Sequence, residues 1–244
     1  RTFAEMMERY QAEHVVKKAS QRTYKSYIKN MLPFFGHLTL AEVTPNRIVQ
    51  YKAKRYAEGR KPATINRDLA IMKNAFNLAI REWEWCRDNP VRRVSMEKEN
   101  NARDRWLTVE EEALLVKACP VWLREIVTFA LHTGMRMGEI LSLTWEGVDL
   151  FRRTVMVFRS KNGERRTIPV NQTVLGLLTA KNKVRPLKTN LVFCSMAFTL
   201  IEGGHLRRAF RAALKAGEVA NFRFHDLRHT FATRLVQAGI DLYK

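Results

Sequence analysis

The chain has 244 residues, with 43 lysines and arginines against 24 aspartates and glutamates, a formal net charge of +19. That length is enough for two domains, each able to bury a core, and so large a positive excess points to a polyanionic partner. Three scattered cysteines (Cys86, Cys119 and Cys194), no long apolar run and no signal-peptide pattern argue against a disulfide scaffold, a zinc site, a membrane span or secretion, and for a reducing cytosolic compartment. Residues 1–90 hold 17 basic and 9 acidic side chains and residues 91–244 hold 26 and 15. Both halves are therefore expected to face the polyanion, where a disordered basic tail would concentrate the charge; the alternative is a basic protein with no nucleic-acid role. The chain opens at Arg1 inside a helical pattern, so a segment upstream of it is expected.

Residues 1–88 read as helical throughout. Phe3, Met6, Met7 and Tyr10 form one amphipathic pair of turns, and Ser20 reads as the cap of a second helix to about Leu32, ended by Pro33-Phe-Phe-Gly36. Thr44-Pro45 starts a third helix to about Glu58, with threonine as cap and proline at the first helical position. After the break Gly59-Arg-Lys-Pro62, a long helix runs from Ala63 to about Trp83 with Ile65, Leu69, Met72 and Phe76 in its buried stripe. Together these predict a four-helix bundle with short connections.

Two of those helix starts carry polar clusters away from the apolar stripes. One is Gln21-Arg22-Thr23 with Lys25 and Lys29; the other is Lys61 with Thr64, Asn66 and Arg67. Hydroxyls, an amide and basic groups there suit phosphate positioning and contact with base edges, and equally suit capping plus solvated charge. Two such clusters in a basic bundle favour a DNA-gripping module.

From Asn89-Pro90 to Asp104 the chain is charged and poor in apolar residues, which marks residues 91–104 as an exposed linker between a domain over 1–90 and another over 105–244. Leu107-Thr108 followed by three glutamates opens the second domain. An apolar helix from Trp122 to about His132 ends at Thr133-Gly134, and the next turn holds Arg136 with Glu139 three residues on. Glu139 is either a structural ion-pair partner or the group that orients the guanidinium toward a substrate. The period then changes to two: Thr154–Arg159 and Arg165–Val170 read as strands, with Asn162-Gly163 as the hairpin turn and Lys161 just before it. Helices resume at about Val174–Ala180 and Gly204–Ala216, the latter with Arg207, Arg208 and Arg211.

The stretch His225-Asp-Leu-Arg-His-Thr-Phe-Ala-Thr233 holds the strongest chemical signal. Leu227, Phe231 and Leu235 recur at helical spacing, and His225 and Arg228 share a face beside that stripe. A guanidinium there is costly unless an anion compensates it, and the free N–H groups of a helix start also favour an anion. Arg228 therefore either pairs with Asp226 or another carboxylate, or meets an anionic substrate.

Taken in order, Ala130-Leu-His-Thr-Gly-Met-Arg136-Met-Gly-Glu139, Ser160-Lys161-Asn-Gly with Ile168-Pro169, and Phe224-His225-Asp-Leu-Arg228-His-Thr-Phe-Ala-Thr resemble the boxes of the tyrosine recombinases, above all the phage-type integrases. The N-terminal half, including Ala63-Thr-Ile-Asn-Arg67, resembles that family's core-binding domain. The resemblance implies a mainly α architecture, a SAM-like core-binding four-helix bundle followed by a mixed α+β catalytic domain with a small antiparallel sheet. It implies Arg136 and Arg228 as clamps on the scissile phosphate and Lys161 as the acid for the leaving 5′-hydroxyl. His225 would be the general acid/base, with Glu139 and His229 in support and Arg22, Thr23, Lys25, Lys29, Lys61, Thr64, Asn66, Arg67, Arg207 and Arg208 on the DNA. No metal, cofactor or small-molecule ligand is implied. The partners would be double-stranded DNA, gripped as a two-domain clamp, and further copies of the protein in a tetramer on DNA, in the cytoplasm and associated with the nucleoid.

One departure stands out. The family places a His or Trp box and a tyrosine nucleophile well downstream of Arg228, whereas the sequence runs only to Lys244. Tyr243, read as part of a helix continuing through Leu235 and Leu242, would lie about 27 Å along it from His225, so the nucleophile is expected outside these residues. Two other readings remain, a non-catalytic DNA-binding relative and a type IB topoisomerase, against which the compact bundle and the Thr133-Gly-Met-Arg-Met-Gly-Glu139 box argue.

Overall fold

In a computed structural model, which describes residues 1–101, 103–158 and 165–240, the chain divides into two units, Arg1–Ala102 and Arg103–Lys244. The architecture is mainly α with one small antiparallel sheet, and each unit has its own apolar core. Among the described residues no helix is long and apolar enough to cross a membrane.

The first unit is built from α1 (Phe3–Tyr10), α2 (Gln21–Phe35), α3 (Pro45–Ala57) and α4 (Pro62–Arg81). Thr2 and Glu5 form a reciprocal capping box at the start of α1, which continues into a π-helical turn over Gln11–Val15 that its sequence does not announce. Thr44 caps α3 as expected, its Oγ1 accepting the Arg47 N–H at 3.3 Å. Ser20 makes no capping bond, and α2 runs through Pro33 to Phe35 instead of stopping at Leu32. Proline weakens that last turn by removing an N–H. Phe35 offsets the loss: it is fully buried, with its ring 5.2 Å from Phe3 and 5.0 Å from Tyr51.

Beneath those rings lies a buried polar network. Tyr51 Oη and Arg55 Nε donate to the same Asp68 oxygen at 2.9 and 3.0 Å, and Arg55 Nη1 reaches Glu58 at 2.6 Å. The stretch read from sequence as an exposed linker also belongs to this unit. Val91 and Val94 enter its core, Lys52 donates to the Ser95 carbonyl at 2.7 Å, and Tyr56 donates to Glu97 at 2.6 Å. Glu97 pairs with Lys52 of α3, while Arg92 and Glu99 bond Asn77 and Asn66 of α4, so the division falls later than residue 90.

The second unit begins with α5 (Val109–Ala118), opened by a Thr108–Glu111 capping box, and α6 (Val121–Thr133), which packs along α10 (Asp226–Gln237). Between these lie α7 (Met137–Leu141), β1 (Val148–Asp149), β2 (Thr154–Val157), β3 (Arg166–Pro169), α8 (Gln172–Lys183) and α9 (Gly203–Ala216). The sheet order is β1-β2-β3, all antiparallel, with Val155 opposite Ile168 and Val157 opposite Arg166. The strand β1, two residues long, is too short to show a period in the sequence. The expected hairpin turn at Asn162-Gly163 lies outside the described residues.

The helical continuation to Leu242 is not found. The helix α10 ends at Gln237 in a Schellman motif: Gly239 turns at φ 76°, its N–H donates to the Val236 carbonyl at 2.9 Å, and the Ile240 N–H donates to the Leu235 carbonyl at 3.0 Å. Val236 and Ile240 are more than half exposed, so no buried stripe draws the helix onward. The 27 Å separation of Tyr243 from His225 therefore has no helix to rest on, and Tyr243 itself lies outside the described residues.

Asp68→Ala should lower the stability of the protein by about 3 kcal/mol, because Arg55 is 3% exposed and loses its buried carboxylate. Denaturant unfolding at neutral pH measures it; a loss below about 0.5 kcal/mol would show that the network contributes little.

Candidate functional site

The site forms where α6, α7, β3 and α10 meet. Gly134 ends α6 in the left-handed region at φ 60°, and a Cβ there would lie 2.4 Å from the Phe231 ring of α10. Only glycine allows both the turn and this approach. The turn leaves the Gly134 carbonyl free to accept a hydrogen bond from Arg228 Nη1. Two residues later Arg136 stands at the N-cap of α7, donating its backbone N–H to Glu139 Oε2 at 2.9 Å and its Nη1 to Oε1 at 3.0 Å.

Glu139 has a second partner that sequence reasoning missed. Arg166 of β3 grips the same carboxylate with both prongs, Nη1 to Oε1 at 3.0 Å and Nη2 to Oε2 at 2.6 Å. Strand alternation holds the clue, since Arg166 shares the half-buried face of β3 with Ile168, and a charge on such a face needs a counter-charge. Burial alone would raise the Glu139 pKa. The Arg166 fork and the Arg136 donors outweigh it and hold the carboxyl at about 2.

The other half of the site is the start of α10. Asp226 does not pair with Arg228; its carboxylate, 2% exposed, accepts the Arg223 N–H at 2.8 Å and Arg103 Nη2 at 2.9 Å. Thr230 Oγ1 donates to the Asp226 carbonyl and accepts the Leu107 N–H, so residues 103–107 lie stitched to the first turn of the helix. Arg228 pairs with no carboxylate among the described residues. Burial first, then the positive charges of Arg136 and Arg166, depress its pKa. His225 stands edge-on to His229, ring centroids 5.3 Å apart. Its pKa is lowered by burial and then by the neighbouring His229 and Arg228, so the neutral imidazole prevails at pH 7.

Of these groups, His225 and Arg228 border a cavity of about 510 Å³, whose apolar wall includes Met135, Phe210 and Phe224 and whose basic wall also includes Arg207. An anion in this cleft would meet fixed donors at low dielectric, where charge-assisted hydrogen bonds are strongest. Arg136, Glu139, His225 and Arg228 are thus brought together, with His229 behind His225. Lys161 lies outside the described residues. Arg208 is exposed on α9 and does not border the cavity.

In the first unit Arg22, Lys25 and Lys29 follow i, i+3, i+7 on an exposed face of α2, with Thr23 beside them. Lys61 and Arg67 are exposed at the start of α4 and Thr64 is half-buried. Asn66 differs from the expected surface cluster. It is 7% exposed, and its amide is taken up by the Glu97 backbone and the Glu99 carboxylate.

The sequence profile of the phage integrase family matches residues 105–244, and that of the phage integrase N-terminal domain matches residues 1–98. The chain belongs to the phage integrase family. Among its relatives are a shufflon-specific DNA recombinase of Escherichia coli, 32% identical over 233 residues (91% of this chain, 58% of that protein), and the integrase of Salmonella phage P22, 32% identical over 192 residues (74% and 49%). The chain therefore spans about half the length of these integrase-family relatives. In fold it is similar to a lambda integrase (75–356) dimer bound to a COC′ core site, with a TM-score of 0.83 at 23% identity over 100% of this chain and 93% of the other. It is also similar to the Tn1549 transposon integrase in complex with transposon right end DNA, with a TM-score of 0.85 at 19% identity over 99% and 88%.

Glu139→Gln should destabilise the protein at neutral pH by about 1–3 kcal/mol, because the Arg166 fork and Arg136 Nη1 lose their charged acceptor. A carboxylate with a depressed pKa contributes stability that is present above its ordinary 4.5 and lost as pH falls toward about 2. The gap between wild type and variant in denaturant unfolding should thus be full near pH 7 and shrink below about pH 4. A gap independent of pH would contradict the ionised, doubly held carboxylate.

Proposed function

We propose that this chain is the core-binding and catalytic part of a site-specific DNA recombinase, an integrase that breaks and rejoins duplex DNA through a 3′-phosphotyrosyl intermediate. The observation that carries the reading is the meeting of Arg136 and Arg228 beside His225, with no carboxylate on Arg228 among the described residues. A phosphodiester bears one negative charge, and in-line attack builds a second on its non-bridging oxygens. Planar forks already aimed at those oxygens stabilise the change without reorganising.

In this reading a tyrosine oxygen attacks the phosphorus and the bond to the 5′-oxygen breaks. Lys161 delivers a proton to that leaving oxygen, which avoids a bare alkoxide. His225, neutral at pH 7, is in the form that accepts the proton of the attacking hydroxyl. The second unit contains one tyrosine, Tyr243, and the proposal assigns the attack to a different tyrosine.

Duplex DNA is the proposed partner. The exposed basic helix faces of α2 and α4 and the net charge of +19 support it. So do the relatives in kind, among them a lambda integrase tetramer bound to a Holliday junction. By the same likeness the working assembly is a tetramer on DNA; a DNA substrate would place it at the nucleoid in the cytoplasm.

In the full-length protein, Arg136→Ala and Arg228→Ala should each cut the formation of a covalent adduct on a nicked suicide substrate by about 10²–10³-fold. Duplex affinity should change far less, because these charges match the transition state. The adduct should survive Tyr243→Phe, and two-site substrates should give strand-exchange products. Substantial adduct with either alanine variant, or relaxation of supercoils without exchange, would contradict the reading.

A further inference from the structure

We infer that Arg166 is a positioning residue for Arg136, and that its charge raises the site from one net positive charge to two as the reacting phosphate gains its second negative charge. This rests on the recombinase reading above and deepens it. Glu139 offers two carboxylate oxygens and receives four N–H donors, two from Arg136 and two from Arg166. Only Arg166 binds fork to fork. It holds both oxygens at 3.0 and 2.6 Å, whereas the Arg136 side chain touches the carboxylate through Nη1 alone. Among the described residues, Arg136 Nε and Nη2 make no hydrogen bond, and the side chain remains 38% exposed.

Fork-to-fork pairing is the geometry that a guanidinium and a carboxylate prefer. Without Arg166, Glu139 would be free to take both prongs of Arg136. The first arginine of the clamp would then be spent on its own neighbour three residues away. Arg166 prevents this by occupying the carboxylate, and the two-prong contact also fastens β3 to α7.

Charge matching points the same way. Leaving aside the Lys161 proton, which goes to the leaving oxygen, Arg136, Arg166 and Arg228 against the ionised Glu139 leave +2 to face the non-bridging oxygens of a dianionic transition state. With Arg166 neutralised they leave +1, which suits the ground-state phosphodiester but not the transition state. Loss of Arg166 should therefore act on the rate of cleavage and little on binding. A merely structural tie between β3 and α7 would behave differently, because removing its other partner could not restore what was lost.

The test is a double-mutant cycle in the full-length protein, read as single-turnover adduct formation on a suicide substrate and as duplex affinity, with a melting curve for each variant. Arg166→Gln should cleave about 10²-fold more slowly, with duplex affinity within about threefold of wild type. Arg166→Lys, which keeps the charge but not the fork, should recover about tenfold of that loss. The decisive variant is Arg166→Gln combined with Glu139→Gln. It removes the competing carboxylate, restores +2, and should cleave at least about tenfold faster than Arg166→Gln alone. A double variant no faster than Arg166→Gln, or an Arg166→Gln variant as fast as wild type, overturns the proposal while leaving the recombinase reading intact. A wild-type protein that forms no adduct overturns both.

Discussion

A buried carboxylate held by two arginines is the point on which the second unit turns. Glu139 is 6% exposed on its side chain and would be costly alone. Two guanidiniums hold it ionised, and each belongs to a different element, Arg136 at the start of α7 and Arg166 on β3. The pairing thereby fixes the sheet against the helix turn. It also leaves an excess of positive charge, because a third guanidinium, Arg228, approaches from α10 with no carboxylate of its own among the described residues. The site stays net cationic after its internal pairing, beside a cleft that His225 and Arg228 line.

The remaining elements keep that excess from collapsing. Gly134 turns the chain so closely against Phe231 that a carbonyl, rather than a carboxylate, meets Arg228. Arg103 takes Asp226, the acidic group nearest in sequence to Arg228, and so keeps that carboxylate from pairing with Arg228. Thr230 and the Leu107 backbone hold the first turn of α10 in place. Each of these interactions is modest, on the order of 1 kcal/mol net for a neutral hydrogen bond and somewhat more where a guanidinium donates, yet together they decide which charges cancel and which remain.

Much of this was legible in the residues. The helical stripes of the first unit, the Thr44-Pro45 start, the change to a period of two at Thr154 and the arginine boxes were readable because each depends on neighbours within a few positions. What escaped depends on partners far along the chain. Arg166 lies 27 residues from Glu139, and nothing near it in sequence names that partner. The charged run before Glu99 reads as solvated until α3 and α4 supply its counter-groups, and Asn66 reads as a surface amide until that run covers it. Pro33 marks a helix end by propensity, but the burial of Phe35 overrides it. The end of α10 at Gly239 was missed for a different reason: the apolar spacing through Leu242 persists in sequence after the burial that would sustain a helix has stopped.

In the proposed reaction the unpaired guanidinium charge of Arg228 answers the charge of a phosphate. Cleavage of a suicide substrate whose scissile phosphate is replaced by an uncharged methylphosphonate tests it most directly, comparing wild type with Arg228→Ala. The expected loss is about 10²-fold on the phosphate but much smaller on the methylphosphonate, which is neutral in the ground state and whose one remaining non-bridging oxygen gains only a single charge on attack. An equal loss on both substrates would contradict it, because Arg228 would then be acting through the fold and not through its charge.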